Sequence, residues 1–333
     1  MVRAATALCG PPALSGVVSD ATPSSRWRSS PVSPNWVSLE KMRSILWVGG
    51  VALLAVAGLG LLLFRSAAAP QAGSFRIAIL GDRTGGVQGD VYEQVWKELA
   101  AEEPAFVVTV GDTIEGMHDA TAETEWQEVE SILKPYRRFP LYLAPGNHDI
   151  WSVASERLFR QHAGHPPHYS FDRGPMHVTI LDNSRSNEIA PEELTFLEED
   201  LKAHESQPQK MIVSHRPSWL LSVALGNTDL SLHRIARRYG VQYVIAGHVH
   251  QLLRFSLEGI DYISMPSAGG HLRPVDAAYE GGWFFGHALA TVRATEVQFQ
   301  FEELKPPLGH GRVSMPDEWG MLGLLQKPAA AAK

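Results

Sequence analysis

"FRIAILGDRTGG", residues 75–86, joins a short β-rich run to an aspartate, Asp82, that stands among glycines. An apolar run of this length fits a strand buried on both faces, and the Gly-Asp pair fits its carboxyl end. A carboxylate there is costly unless something offsets its charge. The construction recurs. "AFVVTVGD" ends on Asp112, "PLYLAPGNHD" runs into Asn147, His148 and Asp149, "KMIVSH" ends on His215, and "VQYVIAGHVH" carries His248 and His250.

Between these runs lie longer amphipathic stretches, beginning near Gln88, Ala122, Ser152, Pro191 and Asp229. The alternation predicts βαβ units, hence an α/β fold. The clearest helix is "PEELTFLEEDLKAH" (residues 191–204), with proline in its first turn, early acidic residues and Leu194, Leu197 and Leu201 on one stripe. "HVTILD" adds a further strand. After His250 the pieces "LLRFSLE", "IDYISM", "FFGHALATVRA" and "EVQFQFEEL" predict an antiparallel meander that closes a second sheet, and the Pro- and Gly-containing stretch from 305 to 333 reads as a loosely held tail.

Ligands of open α/β sheets bind at the carboxyl ends of the strands. Five strand ends therefore deliver aspartate, asparagine and histidine to one place. Taken singly, each is an ordinary turn, cap or loop residue. Taken together they would bury several ionisable groups at several kcal/mol per unpaired ion, and a pair of divalent cations removes that cost. The lone cysteine, Cys9, lies outside the globular part, so a metal there must use nitrogen and oxygen ligands, which the 14 histidines make feasible. A formal charge of -7 gives no basic footprint, and nucleic acid is not an expected partner.

Residues 1–44 lack periodicity, and Met42 is a possible alternative start. Residues 45–64, "ILWVGGVALLAVAGLGLLLF", form a charge-free apolar run long enough to span a bilayer. With Lys41 and Arg43 before it, the positive-inside rule predicts an anchor that leaves the domain outside the cytoplasm. A cleaved signal, with small residues at Ala67–Ala69 running into Pro70, is the alternative, and it would make the protein secreted or periplasmic. A linker, 65–74, leads into a domain expected to span 75–304.

The five blocks, in this order and spacing, resemble the calcineurin-like metallophosphoesterases, and "LDNSRSNEIAPEELTFLEEDL" (residues 181–201) is similar to the family's stretch between its third and fourth blocks. The resemblance implies a four-layer α/β/β/α sandwich of two mixed sheets flanked by helices. It also implies two metal ions, divalent or mixed-valence (manganese, iron or zinc), and hydrolysis of a phosphate ester by metal-held hydroxide. On that resemblance Asp82 binds the first metal, Asp112 bridges both, Asn147, His215 and His248 bind the second, His250 returns to the first, and His148 serves the leaving group. The family's usual histidine two residues after the first aspartate is replaced by Thr84, and the position three after the bridging aspartate, a tyrosine in purple acid phosphatases, is Glu115. Glu115 therefore has two functional readings: a substitute ligand for the first metal, or the partner of His148, which is favoured. Arg83 and Arg216 flank the metal blocks as candidate phosphate contacts, Trp219 and Tyr279 are candidates for a pocket or for packing, and His271 is a candidate for the rim. A degenerate binding or sensor module that keeps the fold without turnover is the competing reading, supported by the missing histidine.

Overall fold

Strand β1 (Phe75–Leu80) alternates between two cores: Ile77 and Ile79 face the space between two sheets, and Ala78 and Leu80 face a helix, all without solvent exposure. That alternation places β1 in the interior of a sheet covered on both faces. The structure, a computed structural model, describes residues 73–273, 278–320 and 323–326. The chain divides after Phe64 into two units, and the described residues belong to the second, Arg65–Lys333. The apolar run 45–64 and the extension before it lie outside the described residues. Among those described, no helix is long and apolar enough to cross a membrane.

After β1 come α1 (Val91–Ala101), β2 (Phe106–Thr109), α2 (Ala122–Leu133), β3 (Leu141–Tyr142), α3 (Val153–Ala163), β4 (Tyr169–Arg173), β5 (Met176–Ile180) and α4 (Pro191–Ala203). The chain continues through β6 (Gln209–Val213), α5 (Leu220–Ala224), α6 (Ser231–Arg238), β7 (Tyr243–Ala246), β8 (Leu253–Leu257), β9 (Ile260–Ser264), β10 (Gly286–Val292), β11 (Val297–Glu303) and β12 (Val313–Ser314). Local chemistry explains the helix starts. Ser152 caps α3 by accepting from the Ser155 amide, and α4 begins with Pro191 followed by Glu192 and Glu193.

Two six-stranded mixed sheets result, ordered β12-β11-β10-β1-β2-β3 and β4-β5-β6-β7-β9-β8. Their inner faces share one apolar core, in which Ile79 and Val108 of the first sheet share a cluster with Val178, Val213 and Ile245 of the second. Helix α1 covers the outer face of the first sheet, and α4, α5 and α6 cover that of the second. The residues bearing metal-type side chains follow the carboxyl ends of β1, β2, β3, β6 and β7.

Three expectations change. Only β8 and β9 of the expected meander join the second sheet, with β9 parallel to β7, while β10 crosses to the first sheet and pairs antiparallel with β1. Alternation identifies a strand but not its partner, so local pattern cannot assign it. The tail expected after Lys305 is in part held down: β12 pairs with β11, and Trp319 lies in the shared core. Strand β4 had no expected counterpart; it forms a hairpin with β5.

Candidate metal centre

The site is assembled from turns that fit only small or strained residues. A Cβ on Gly247 would lie 2.2 Å from the Asp82 carboxylate, and one on Gly146 would lie 2.1 Å from that of Asp112. Glycine alone allows these backbones to approach so closely. Asp112, His248 and His250 sit at φ of 54°, 71° and 57°, a left-handed conformation that is costly for residues with side chains and tends to cluster at functional sites.

Asp82 is fully buried, and its carboxylate accepts the His248 amide at 2.8 Å and faces His250 Nε2 at 3.3 Å. Asp112 accepts the His148 amide at 2.9 Å and faces His215 Nε2 at 3.3 Å. His215 Nε2 also meets the Asn147 side-chain oxygen at 3.0 Å and His248 Nδ1 at 3.2 Å. The side chains of Asp112, His215 and His248 offer ligand atoms within 4.8 Å of one another. The structure thus brings together Asp82, Asp112, Asn147, His215, His248 and His250 from distant parts of the chain. Second partners orient the rings: His215 Nδ1 donates to the Val110 carbonyl at 2.9 Å and His250 Nδ1 to that of His271 at 2.8 Å, which turns each Nε2 toward the carboxylates.

The electrostatics fit a cation. Burial pushes the Asp112 carboxyl up, but the charges and hydrogen bonds of His215 and His148 hold it down at about 2. Burial works against charge on His215, yet Asp112 and Asp82 lift it to about 9. A field that holds a proton between these groups also favours a divalent ion. Burial, followed by the charges of His215 and Arg216, holds His248 down at about 4, keeping it a neutral imidazole of the kind metals bind. The donors are oxygen and imidazole nitrogen, a set suited to manganese, iron or zinc.

Around this cluster the other candidates sort by geometry. His148 Nδ1 meets the Glu115 backbone carbonyl at 2.5 Å, a main-chain contact and not the side-chain partnership expected. The Glu115 carboxylate instead accepts from the Thr84 hydroxyl and, at 3.1 Å, from the Gly86 amide. It stands beside the place where the family's histidine is missing. Arg216 reaches Asn187 at 2.8 Å and His248 Nε2 at 3.3 Å, at the edge of the cluster. Arg83 differs from expectation: it is 9% exposed, donates to the Thr113 carbonyl at 3.1 Å and lies over the Tyr92 ring, which leaves little of it for a phosphate. Trp219 and Tyr279 are buried in the cores, as packing residues.

Three further features shape the site. A cavity of about 410 Å³ opens beside the cluster, lined by His248, His250 and His271 together with Leu220, Arg273 and Trp283. The Arg273 guanidinium lies 5.5 Å from the Trp283 ring centroid. Asn183 clamps the His215 turn by accepting the amides of His215 and Arg216, both at 3.0 Å, and donating to the Arg216 carbonyl at 2.8 Å. Its only signal was an asparagine after "HVTILD". Asp149, fully buried, accepts the amides of Thr113 at 2.7 Å, Ile114 at 3.2 Å and Gly146 at 2.8 Å, tying the second and third turns together. Burial and the neighbouring Asp112 charge push it up to about 6.

A fold of two mixed sheets with this array at its strand ends defines a class, and comparison with known proteins gives the same class. Residues 75–252 match the model of the calcineurin-like phosphoesterase family. The chain belongs to that family. A 3',5'-cyclic-nucleotide phosphodiesterase from Nostoc sp. is 26% identical over 135 residues, which are 38% of this chain and 50% of that protein, so the chain spans about half the length of the curated relative it matches. Among solved structures, a purple acid phosphatase from yellow lupin (Lupinus luteus) seeds superposes with a TM-score of 0.55 at 16% identity, covering 73% of this chain and 54% of the lupin chain. GAP50, the anchor in the inner membrane complex of Plasmodium, gives 0.51 at 14% identity, covering 77% of this chain and 90% of that one. At such identities the structural likeness speaks for the fold alone.

Proposed function

We propose that the chain hydrolyses phosphate esters in the cleft formed by Asp82, Asp112, Asn147, His215, His248 and His250, with diesters among its substrates. The observation that carries this reading is the convergence of those six residues, linked through side chains and the His248 amide at 2.8–3.3 Å, from five turns of two sheets. The family implies metal-dependent phosphoester hydrolysis, and the Nostoc relative is a phosphodiesterase. Bound metals supply charge to neutralise a phosphate and to acidify water. The same six residues would hold them, with the Glu115 carboxylate beside Thr84 completing the first.

The remaining roles belong to the chain itself. The Glu115 carbonyl can only accept, so it fixes the His148 proton on Nδ1 and leaves Nε2 to exchange a proton with the leaving oxygen. Arg216 stands where it can pair with a non-bridging phosphate oxygen. The cavity beside His248 and His250 offers Trp283 and Leu220 to an organic substituent and Arg273 to a further polar group. The apolar run 45–64 supports tethering of this activity to a membrane, and Lys41 and Arg43 support a domain facing away from the cytoplasm.

The test is the full chain, reconstituted with manganese, iron or zinc, offered bis-p-nitrophenyl phosphate and p-nitrophenyl phosphate. Metal-dependent release of nitrophenol from the diester is expected. Bound metal with neither ester cleaved would overturn the proposal in favour of a non-hydrolytic binding module.

A further inference from the structure

At the amino-terminal ends of the parallel strands in the second sheet, away from the cleft, lies a separate cluster. Asp172 is near the end of β4, His177 is near the start of β5 and His204 follows α4. The Asp200 carboxylate takes the hydroxyls of Ser170 and Thr179, each at 2.6 Å, as an ionised acceptor does. It therefore also accepts from His177 Nε2, at 2.9 Å. His204 Nδ1 meets the Asp200 backbone carbonyl at 2.8 Å and must be the donor there. With those nitrogens committed, the remaining ones turn to a single carboxylate: His177 Nδ1 lies 2.8 Å from Asp172 Oδ1, and His204 Nε2 lies 3.9 Å from Asp172 Oδ2.

We propose that Asp172, His177 and His204 form a second metal site that takes one zinc-like divalent ion. Their ligand atoms lie within 4.8 Å of one another. Two imidazoles and one carboxylate, with the fourth position open to water, form a set that zinc accepts. A carboxylate behind a ligating histidine is the arrangement that fixes the tautomer and strengthens the ligand, and Asp200 supplies it for His177. The His177 side chain is fully buried and held by two carboxylates, whereas that of His204 is 33% exposed. The rings now lie face to face at 4.1 Å, so His204 is the ligand that swings to close on the ion. Binding displaces the proton shared by His177 Nδ1 and Asp172 and pins the β4–β5 hairpin to the end of α4.

The test uses the full chain dialysed against zinc alone at micromolar free concentration, with zinc per chain read by elemental analysis. His204→Ala and Asp172→Asn, both at partly exposed positions, are expected to hold one equivalent less than the parent while retaining its hydrolysis of bis-p-nitrophenyl phosphate. In the background of Asp112→Asn, which weakens the cleft, adding His204→Ala is expected to remove the same equivalent. The count is readable even in a chain that hydrolyses nothing. Equal zinc in the parent and in either single variant overturns the site and leaves the cluster as an ionic network.

Discussion

His148 and Glu115 show how one residue serves two ends. The Glu115 carbonyl holds the His148 ring while its carboxylate faces Thr84 and Gly86. His148→Ala is accordingly expected to lower kcat by about 10²–10⁴-fold with unchanged metal content, as steady-state kinetics and elemental analysis on one preparation would read it. Glu115→Ala keeps the carbonyl, so His148 stays oriented. Its expected effect is on the metal, with affinity falling about 10–100-fold while excess metal restores turnover. Loss of turnover that excess metal does not restore would return the carboxylate to a role at His148. The six clustered side chains were legible because each ends an apolar run with glycine or proline nearby. The split use of Glu115 was not, since a sequence does not separate a residue's carbonyl from its carboxylate. Nor was the burial of Arg83, whose neighbours resemble those of a phosphate-binding arginine until Tyr92 is seen beneath it.

The turns are the elements that make the site, and Asp149 is the group that joins two of them. Its carboxylate is the buried acceptor for three amides, those of Thr113, Ile114 and Gly146. Asp149→Ala leaves these donors unpaired, and a loss of about 3 kcal/mol in chemical denaturation is expected, with metal binding weakened as Asp112 and Asn147 drift apart. Asp149→Asn retains one acceptor and is expected to lose less. The helices were readable from caps and stripes, α4 above all. The edges of the sheets were not: β4 is a half-buried run, "YSFDR", whose last two residues, Asp172 and Arg173, are exposed on opposite faces, and the partner of β10 is decided by the open edge of β1 rather than by its own residues.

At the scale of the whole fold, one ionisable group among the described residues is poorly served: His287, fully buried on β10 with neither ring nitrogen hydrogen-bonded. Glu302 lies 3.8 Å away, too far to bond, and burial followed by the Lys305 charge holds His287 down at about 4. A histidine whose folded value is depressed contributes no penalty above its unfolded value near 6.5, and stability falls as the pH drops from there toward 4. His287→Leu, compared with the parent in chelator to set the metal ligands aside, is expected to be within about 1.5 kcal/mol at pH 7.5 and the more stable of the two at pH 4.5, by denaturant midpoint. The pairing of β1 carries a further consequence, for synthesis. Phe75 waits for Val292 and Leu80 for His287, so the strand that leads into Asp82 leaves the ribosome early with one edge bare. Until β10 emerges, that edge is a template for other chains. A chain ending at residue 252, where the family match stops, would still hold every metal-type residue of the cleft, yet it is expected to be recovered as aggregate. A strand made late in the domain is what covers the edge of the strand made before it, at Phe75–Leu80.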